Sequence, residues 1–198
     1  MTPDPRITRT RARVLQSAWK LLNDVGFEGV TVELVSEHSG VSRSTLYRHW
    51  RSMPELLRDA FAEQAARRPP TDGSSTGLGA LTAYAEAVAT GLTHVWGRAA
   101  ASLAGSAVAD PEQKAVQRVF VEGTRRDLRE IVEKGLATGE LDQGEGTAAP
   151  GERVERLLDQ LIAPLFYRYM FTDVPATPEQ AVRLARDAWV AVGGAGGS

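Results

Sequence analysis

Cysteine is absent from the 198 residues, which excludes a disulfide framework and a Cys-ligated metal site. Histidine is nearly as scarce, with His38, His49 and His94 the only copies. No H-E-x-x-H, G-x-S-x-G, Walker loop or Gly-rich dinucleotide fingerprint occurs, so the expectation is a chain that is not an enzyme and uses no cofactor. No apolar run approaches the roughly 18 residues that a membrane span requires. The basic start, MTPDPRITRTRARV, is followed by no apolar segment of signal-peptide type. A cytoplasmic protein with no membrane contact is expected. Strand signals are poor throughout, whereas helix caps and helical spacings are dense.

Charge is where the chain departs from an even mixture. The net charge of −2 conceals a basic front and an acidic body. Residues 1–68 hold 11 Lys and Arg against 8 Asp and Glu, and residues 69–198 hold 12 against 17. Arg6, Arg9, Arg11, Arg13 and Lys20 face Asp4 alone within the first twenty residues, and Arg43, Arg48 and Arg51 cluster with no acid among residues 40–51. Such a front suits a polyanion. Each cluster taken singly also suits a solvated helix face.

Apolar residues at Val14, Ala18, Leu21, Leu22 and Val25 mark one helix over 9–25, which Gly26 is placed to end. Thr31 is a good N-cap for a short helix reaching about His38, and Ser42 for the next after Gly40. Ser52-Met53-Pro54-Glu55 reads as a capping box before a helix to about Arg68. PPTDGSST, residues 69–76, reads as a link. Amphipathic stretches follow at about 77–95, 97–109 (before an Asp110-Pro111 cap) and 111–137, then a polar loop over 138–152. Val154 to Phe171 is strongly apolar, Thr177-Pro178-Glu179-Gln180 caps a last helix to about Val192, and GGAGGS is an expected disordered tail. The fold class is all-α. An N-terminal unit of three or four helices, 1–68, precedes a larger helical domain, 77–192, and a flexible tail, 193–198.

Residues 40–50, GVSRSTLYRHW, hold the most informative chemistry. On a helix of about 100° per residue, Leu46 and Trp50 share one edge and can pack on neighbouring helices. Ser44, Thr45, Arg48 and His49 take the remaining arc, with Tyr47 at its boundary. The preceding helix offers Val32 and Val35 to a core, and Ser36 and Ser39 permit close approach. Helix, glycine turn and donor-rich helix together describe a helix-turn-helix whose second helix fits a major groove about 12 Å wide. A helical hairpin whose polar face meets only water remains open on pattern alone.

Residues 13–61, RVLQSAWKLLNDVGFEGVTVELVSEHSGVSRSTLYRHWRSMPELLRDAF, resemble the DNA-binding domain of the tetracycline-repressor (TetR) family of transcriptional regulators. The matching marks are Ala18, Gly26-Phe27, Thr31-Val32, Gly40-Val41-Ser42, Thr45-Leu46-Tyr47 and Leu56. The resemblance implies a homodimer that binds a double-stranded DNA operator and whose C-terminal domain takes a small-molecule effector, usually to relieve repression. Trp50 stands where the family usually has Phe, Ser36 and Ser39 where alanines are common, and Met53 where a lysine often meets phosphate. Loss of that cation would flatten the salt dependence of DNA binding by roughly one charge per subunit.

The matched positions suggest Arg43 and Arg48 at base edges, with guanine the usual partner of arginine. Thr31, Ser42, Ser44, Thr45, Tyr47 and His49 are the further candidates for DNA contact, mainly at phosphates. His49 can instead cap its own helix. The basic arm Arg6–Arg13 can reach flanking DNA or merely solubilise the chain. In the C-terminal body, Val154, Leu158, Leu161 and Leu165 form one stripe, and Ala181, Leu184, Ala185, Ala188 and Val192 another. They suggest a dimer seam over about 154–171 and 178–192, with packing inside one subunit as the alternative. Pro164 is expected to kink its helix.

Tyr84, His94, Trp96, Phe120, Phe166, Tyr167 and Met170 are candidate ligand-pocket residues, though ordinary core packing is the better explanation of each taken alone. Arg125 and Arg126 sit among Glu122, Asp127 and Glu130, a pattern of ion pairs within one helix. A DNA-binding adaptor governed by a protein partner, without an effector, is the alternative to an effector-controlled regulator.

Overall fold

The computed structural model describes residues 5–66, 75–94, 96–106, 108, 111–142 and 148–195. Among these residues the architecture is all helical. The helices are α1 (Pro5–Val25), α2 (Val32–Ser39), α3 (Arg43–His49), α4 (Met53–Ala66), α5 (Gly77–His94), α6 (Gly97–Ser106), α7 (Pro111–Ala137), α8 (Pro150–Leu157), α9 (Ala163–Phe171) and α10 (Pro178–Ala191). Residues 69–74 of the expected linker over 69–76, the cap at Asp110, residues 143–147 of the expected loop over 138–152 and residues 196–198 of the expected tail over 193–198 lie outside the described residues.

Two compact units emerge, and their boundary is not the one the Pro/Gly/Ser stretch suggests. Residues 1–68 and 96–121 form one, and residues 69–95 and 122–198 the other, so the division passes through α7. In the first unit, α1 packs on α2, α4 and α6, and α2 packs on α3. Its core gathers Leu15, Leu22, Val35, Leu46, Trp50, Leu56, Leu57 and Phe61 with Ala99 and Leu103 of α6. Each valine, leucine or phenylalanine among them contributes roughly 1.5–3 kcal/mol by leaving water. The segment 96–121 is tied in by polar contacts as well. Ser102 Oγ accepts the Phe27 N–H at 2.7 Å, and an Arg98 N–H donates to the Asp24 carbonyl at 3.0 Å.

Several local signals act as their chemistry requires. Gly26 and Gly40 take the left-handed conformation, at φ +77° and +64°. The Thr31 and Ser42 side chains accept from Leu34 and Thr45 N–H, and Thr177 with Gln180 forms a complete capping box. At the start of α4 the box is altered. Ser52 Oγ accepts the Glu55 N–H, but Glu55 returns to the Arg51 N–H rather than to that of Ser52. Helix α1 begins at Pro5, so Arg9, Arg11 and Arg13 stand on regular helical turns and not on a separate arm.

The second unit is built around α5, α7, α8, α9 and α10, with α10 packed along α5. Trp189 is buried in a cradle of Gly77, Gly135 and Gly194, where a Cβ would collide with its indole ring. Gly194 is itself held, donating to the Trp189 carbonyl at 2.9 Å and bridging Leu141, so the tail is ordered at its start.

Val154, Leu161, Leu165, Ala181, Ala185, Ala188 and Val192 are already buried within this single chain. Intrachain packing thus takes up most of the two apolar stripes, while Leu158 and Leu184 stay half-buried. Pro164 interrupts the regular helix. It lacks the N–H that would close an α-turn, and the preceding turn widens into a π-helical segment, Leu158–Ile162, with the Ala163 N–H reaching the Leu158 carbonyl. Arg125 pairs with Glu155 of α8 through two bonds of 2.7 and 3.0 Å, an interhelical contact where an intrahelical one was expected. The hydrogen bond to Glu155 raises the Arg125 pKa, and the same bond lowers that of Glu155. Both are too exposed to stabilise the fold greatly.

Glu140 closes the N-terminus of α5, accepting the Gly77 N–H at 2.5 Å and the Leu78 N–H at 3.3 Å, with the Thr138 hydroxyl at 2.6 Å. Partial burial pushes its carboxyl upward. The Thr138 hydroxyl and the two backbone donors outweigh that and hold it below the usual carboxylate range. A carboxylate depressed in the folded state stabilises above its unfolded pKa and loses that contribution as the pH falls through the folded value. The stability advantage of the native chain over Glu140→Gln is thus expected to be full near neutrality, to begin falling as the pH reaches the ordinary glutamate range, and to be lost only below the depressed folded value, read from urea midpoints. Gly135→Ala is expected to cost roughly 1–3 kcal/mol through overpacking against Trp189. Gly105→Ala, in the open on α6, is expected to stabilise slightly, by about 0.5–1 kcal/mol. Thermal denaturation of both variants checks the pair.

Candidate nucleic-acid interface

Helix α3 is two turns long and cannot persist on its own, because so short a helix never recovers its nucleation cost. Tertiary contacts hold it at both ends and along one edge. At its start, Ser42 caps it and also meets the Ser44 and Thr45 hydroxyls, at 3.1 and 2.9 Å. Along the edge, Leu46 and Trp50 are 3% and 4% exposed. At its end, the Trp50 N–H closes onto the Leu46 carbonyl, while the indole Nε1–H donates to Asp59 Oδ2 at 2.9 Å.

The turn into α3 is pinned by the two serines that stand where alanines were expected. Ser36 Oγ donates to the Val41 carbonyl at 2.8 Å, and Ser39 Oγ accepts the Val41 N–H at 3.3 Å. Both polar groups of one buried turn residue are thereby satisfied. The role assigned to these serines from sequence, close approach alone, was incomplete.

With the apolar edge committed inward, Ser42, Arg43, Ser44, Tyr47, Arg48 and His49 are exposed and Thr45 is half-buried. Thr31 is exposed at the start of α2. The eight candidates for DNA contact thus share the α2–α3 region, and no acidic residue lies on α3 itself. Tyr47 is 59% exposed, further out than a boundary position suggests. Arg43 is held by Glu33 of α2 at 2.9 Å, both side chains remaining largely exposed. The His49 ring stands 5.7 Å from that of Trp50. Of the basic residues on α1, Arg9 and Arg13 are exposed, whereas Arg11 donates to Asp59 at 2.7 Å.

The seven candidate ligand-pocket residues are divided between the two units. Trp96 and Phe120 belong to the first unit, where Phe120 packs against Phe61 at 6.2 Å and Trp96 at 5.7 Å, and Phe61 against Trp19 at 5.3 Å. Both are half-buried. In the second unit Tyr84 is buried, Phe166 and Met170 are half-buried, and His94 is exposed. Tyr167 is 61% exposed and stacks on Phe171, itself 70% exposed, at 5.5 Å. Aromatic residues with a polar tip, taken from sequence, cannot distinguish a cavity wall from a core or an open face. Sequence reasoning also missed Asp59 and Arg11, whose partners lie 9 and 48 residues away. The one available signal was the tryptophan at position 50.

Residues 14–60 match the family model described as bacterial regulatory proteins, tetR family, and residues 71–188 match the tetracyclin repressor-like C-terminal domain. The chain is 28% identical over 169 residues to the uncharacterized HTH-type transcriptional regulator YdeS of Bacillus subtilis (strain 168), covering 85% of this chain and 82% of that one. It is 26% identical over 180 residues to the HTH-type transcriptional regulator AqdR of Rhodococcus erythropolis, covering 90% and 84% respectively. The crystal structure of the TetR family transcription regulator SCO0332 shares the fold, with a TM-score of 0.72 at 24% identity over 90% of this chain and 96% of that chain.

Arg48→Ala is expected to cost about 1–3 kcal/mol on a preferred duplex and to relax base preference at one position. Binding isotherms on a set of single-base variants of that duplex provide the check. A uniform loss on every sequence would mark Arg48 as a phosphate ligand instead.

Proposed function

Since the chain belongs to the TetR family of bacterial regulatory proteins, DNA-binding regulators of transcription, we propose that it is a homodimeric repressor released from a palindromic operator by a small-molecule effector. The observation that carries this reading is the exposed face of α3, with Arg43, Ser44, Tyr47, Arg48 and His49 turned to solvent beside the buried Leu46. One two-turn helix spans few base pairs, so such a module gains specificity by pairing across a two-fold axis.

The dimer seam is assigned to the last two helical stretches, about 154–171 and 178–192, through the faces that intrachain packing leaves open. Tyr167, Phe171 and Val190 are the large apolar side chains exposed there. The effector is assigned to the C-terminal helical body, with Tyr84, Phe166 and Met170 of the second unit as candidate wall. Release follows if the effector binds better to a dimer whose reading helices are misspaced for the two half-sites.

Thermal denaturation across a metabolite panel, followed by operator titration, tests the scheme. A ligand at about 100 times its dissociation constant adds roughly 2.7 kcal/mol. The expected effector lowers operator affinity as its concentration rises, and the operator weakens effector binding by the same factor. A stabilising ligand with no effect on operator affinity would contradict release. A panel with no stabilising member, together with partner-dependent DNA binding, would favour control by a protein.

A further inference from the structure

One carboxylate joins three helices of the first unit. Asp59 of α4 accepts the Trp50 indole N–H at 2.9 Å and an Arg11 N–H of α1 at 2.7 Å, both on Oδ2. The Arg11 guanidinium carbon stands 5.9 Å from the Trp50 ring centroid, within reach of a cation–π attraction. Arg58 Nε lies 4.0 Å from the other oxygen, Oδ1. Trp50 is the residue on which α3 ends.

The geometry points to Asp59 as a positioning residue for DNA reading, one that fixes the exit end of α3 through the Trp50 indole and holds Arg11 as a strut rather than a phosphate ligand. This inference rests on the DNA-binding reading of α3. Leu46 packs by apolar contact, which is non-directional and sets the facing of a two-turn helix only coarsely. The indole-to-carboxylate bond is directional and charge-assisted, so it selects one orientation. A buried indole N–H also needs a partner, and Asp59 is the partner present. Phenylalanine, usual at this position in the resembled family, offers no donor. The tryptophan therefore adds a link that ring packing alone does not provide. The Arg11–Asp59 pair is too exposed to add much stability. Its consequence lies in where α3 points, which bidentate contacts to base edges register sharply.

The test uses the full-length chain, a duplex selected from random DNA by the wild-type protein, and a scrambled duplex of equal length, each titrated over a range of salt. Trp50→Phe and Asp59→Leu are each expected to lower affinity for the selected duplex roughly tenfold, and the double variant no further, because they break one shared link. Affinity for the scrambled duplex and its salt slope are expected to stay at wild-type values, including in Arg11→Gln. A shallower slope in Arg11→Gln, by about one charge per subunit, would make Arg11 a phosphate ligand and overturn the strut. Equal losses on both duplexes, or an unchanged selected-duplex affinity in Trp50→Phe, would overturn the positioning role. Should Asp59→Leu melt early, Trp50→Phe and Arg11→Gln decide alone. A wild-type protein that prefers no duplex would remove the DNA reading and this inference together, whereas a preference untouched by the variants sinks this inference only.

Discussion

Burial of Leu46 and Trp50 on one edge of a seven-residue helix is the constraint on which the first unit depends. Two turns of helix have too few internal hydrogen bonds to offset their nucleation, so α3 exists because a core formed by α1, α2 and α4 receives that edge. Once the edge is committed, the remaining arc has one direction to face. Arginine, serine, tyrosine and histidine side chains lie on it, exposed to solvent. A surface able to meet phosphate and base edges is thus a by-product of how the helix is held.

The same logic shapes the second unit in apolar form. Trp189 enters a space lined by three glycines, and α10 lies along α5 with alanines at the contact. Small residues here permit close approach inside one chain. Spacing alone suggests that such a stripe is waiting for a partner subunit, but the covering element is already present. Tyr167, Phe171 and Val190 are the large apolar side chains left exposed on α9 and α10.

Local features were legible in the sequence because their causes are local. Thr31, Ser42 and Thr177 cap because a hydroxyl two or three residues ahead of an unpaired N–H reaches it, and Gly26 and Gly40 turn because they alone tolerate positive φ. The apolar edge of α3 was legible from its four-residue spacing. Periodicity names a buried face without naming what buries it, which is why the stripes on α8 to α10 were assigned outward and why residues 96–121 were not placed with the first unit. Ser36, Ser39 and Asp59 were illegible as anchors for a related reason. Their partners are set by the turn geometry and by helix packing, neither of which a single chain's spacing encodes. Trp50 in place of phenylalanine was visible as a change of volume, but its donor acquires meaning only when α4 brings a carboxylate to it.

A DNA-reading α3 carried by a two-fold dimer is the central claim. Selection of bound duplexes from a random library by the purified full-length chain, followed by sequencing, tests it most directly. Enriched sites should form an inverted repeat whose half-sites are centred about one helical turn, or a multiple of it, apart. Recovery of no preferred sequence at modest salt, or of a single asymmetric site with no repeat, would contradict it.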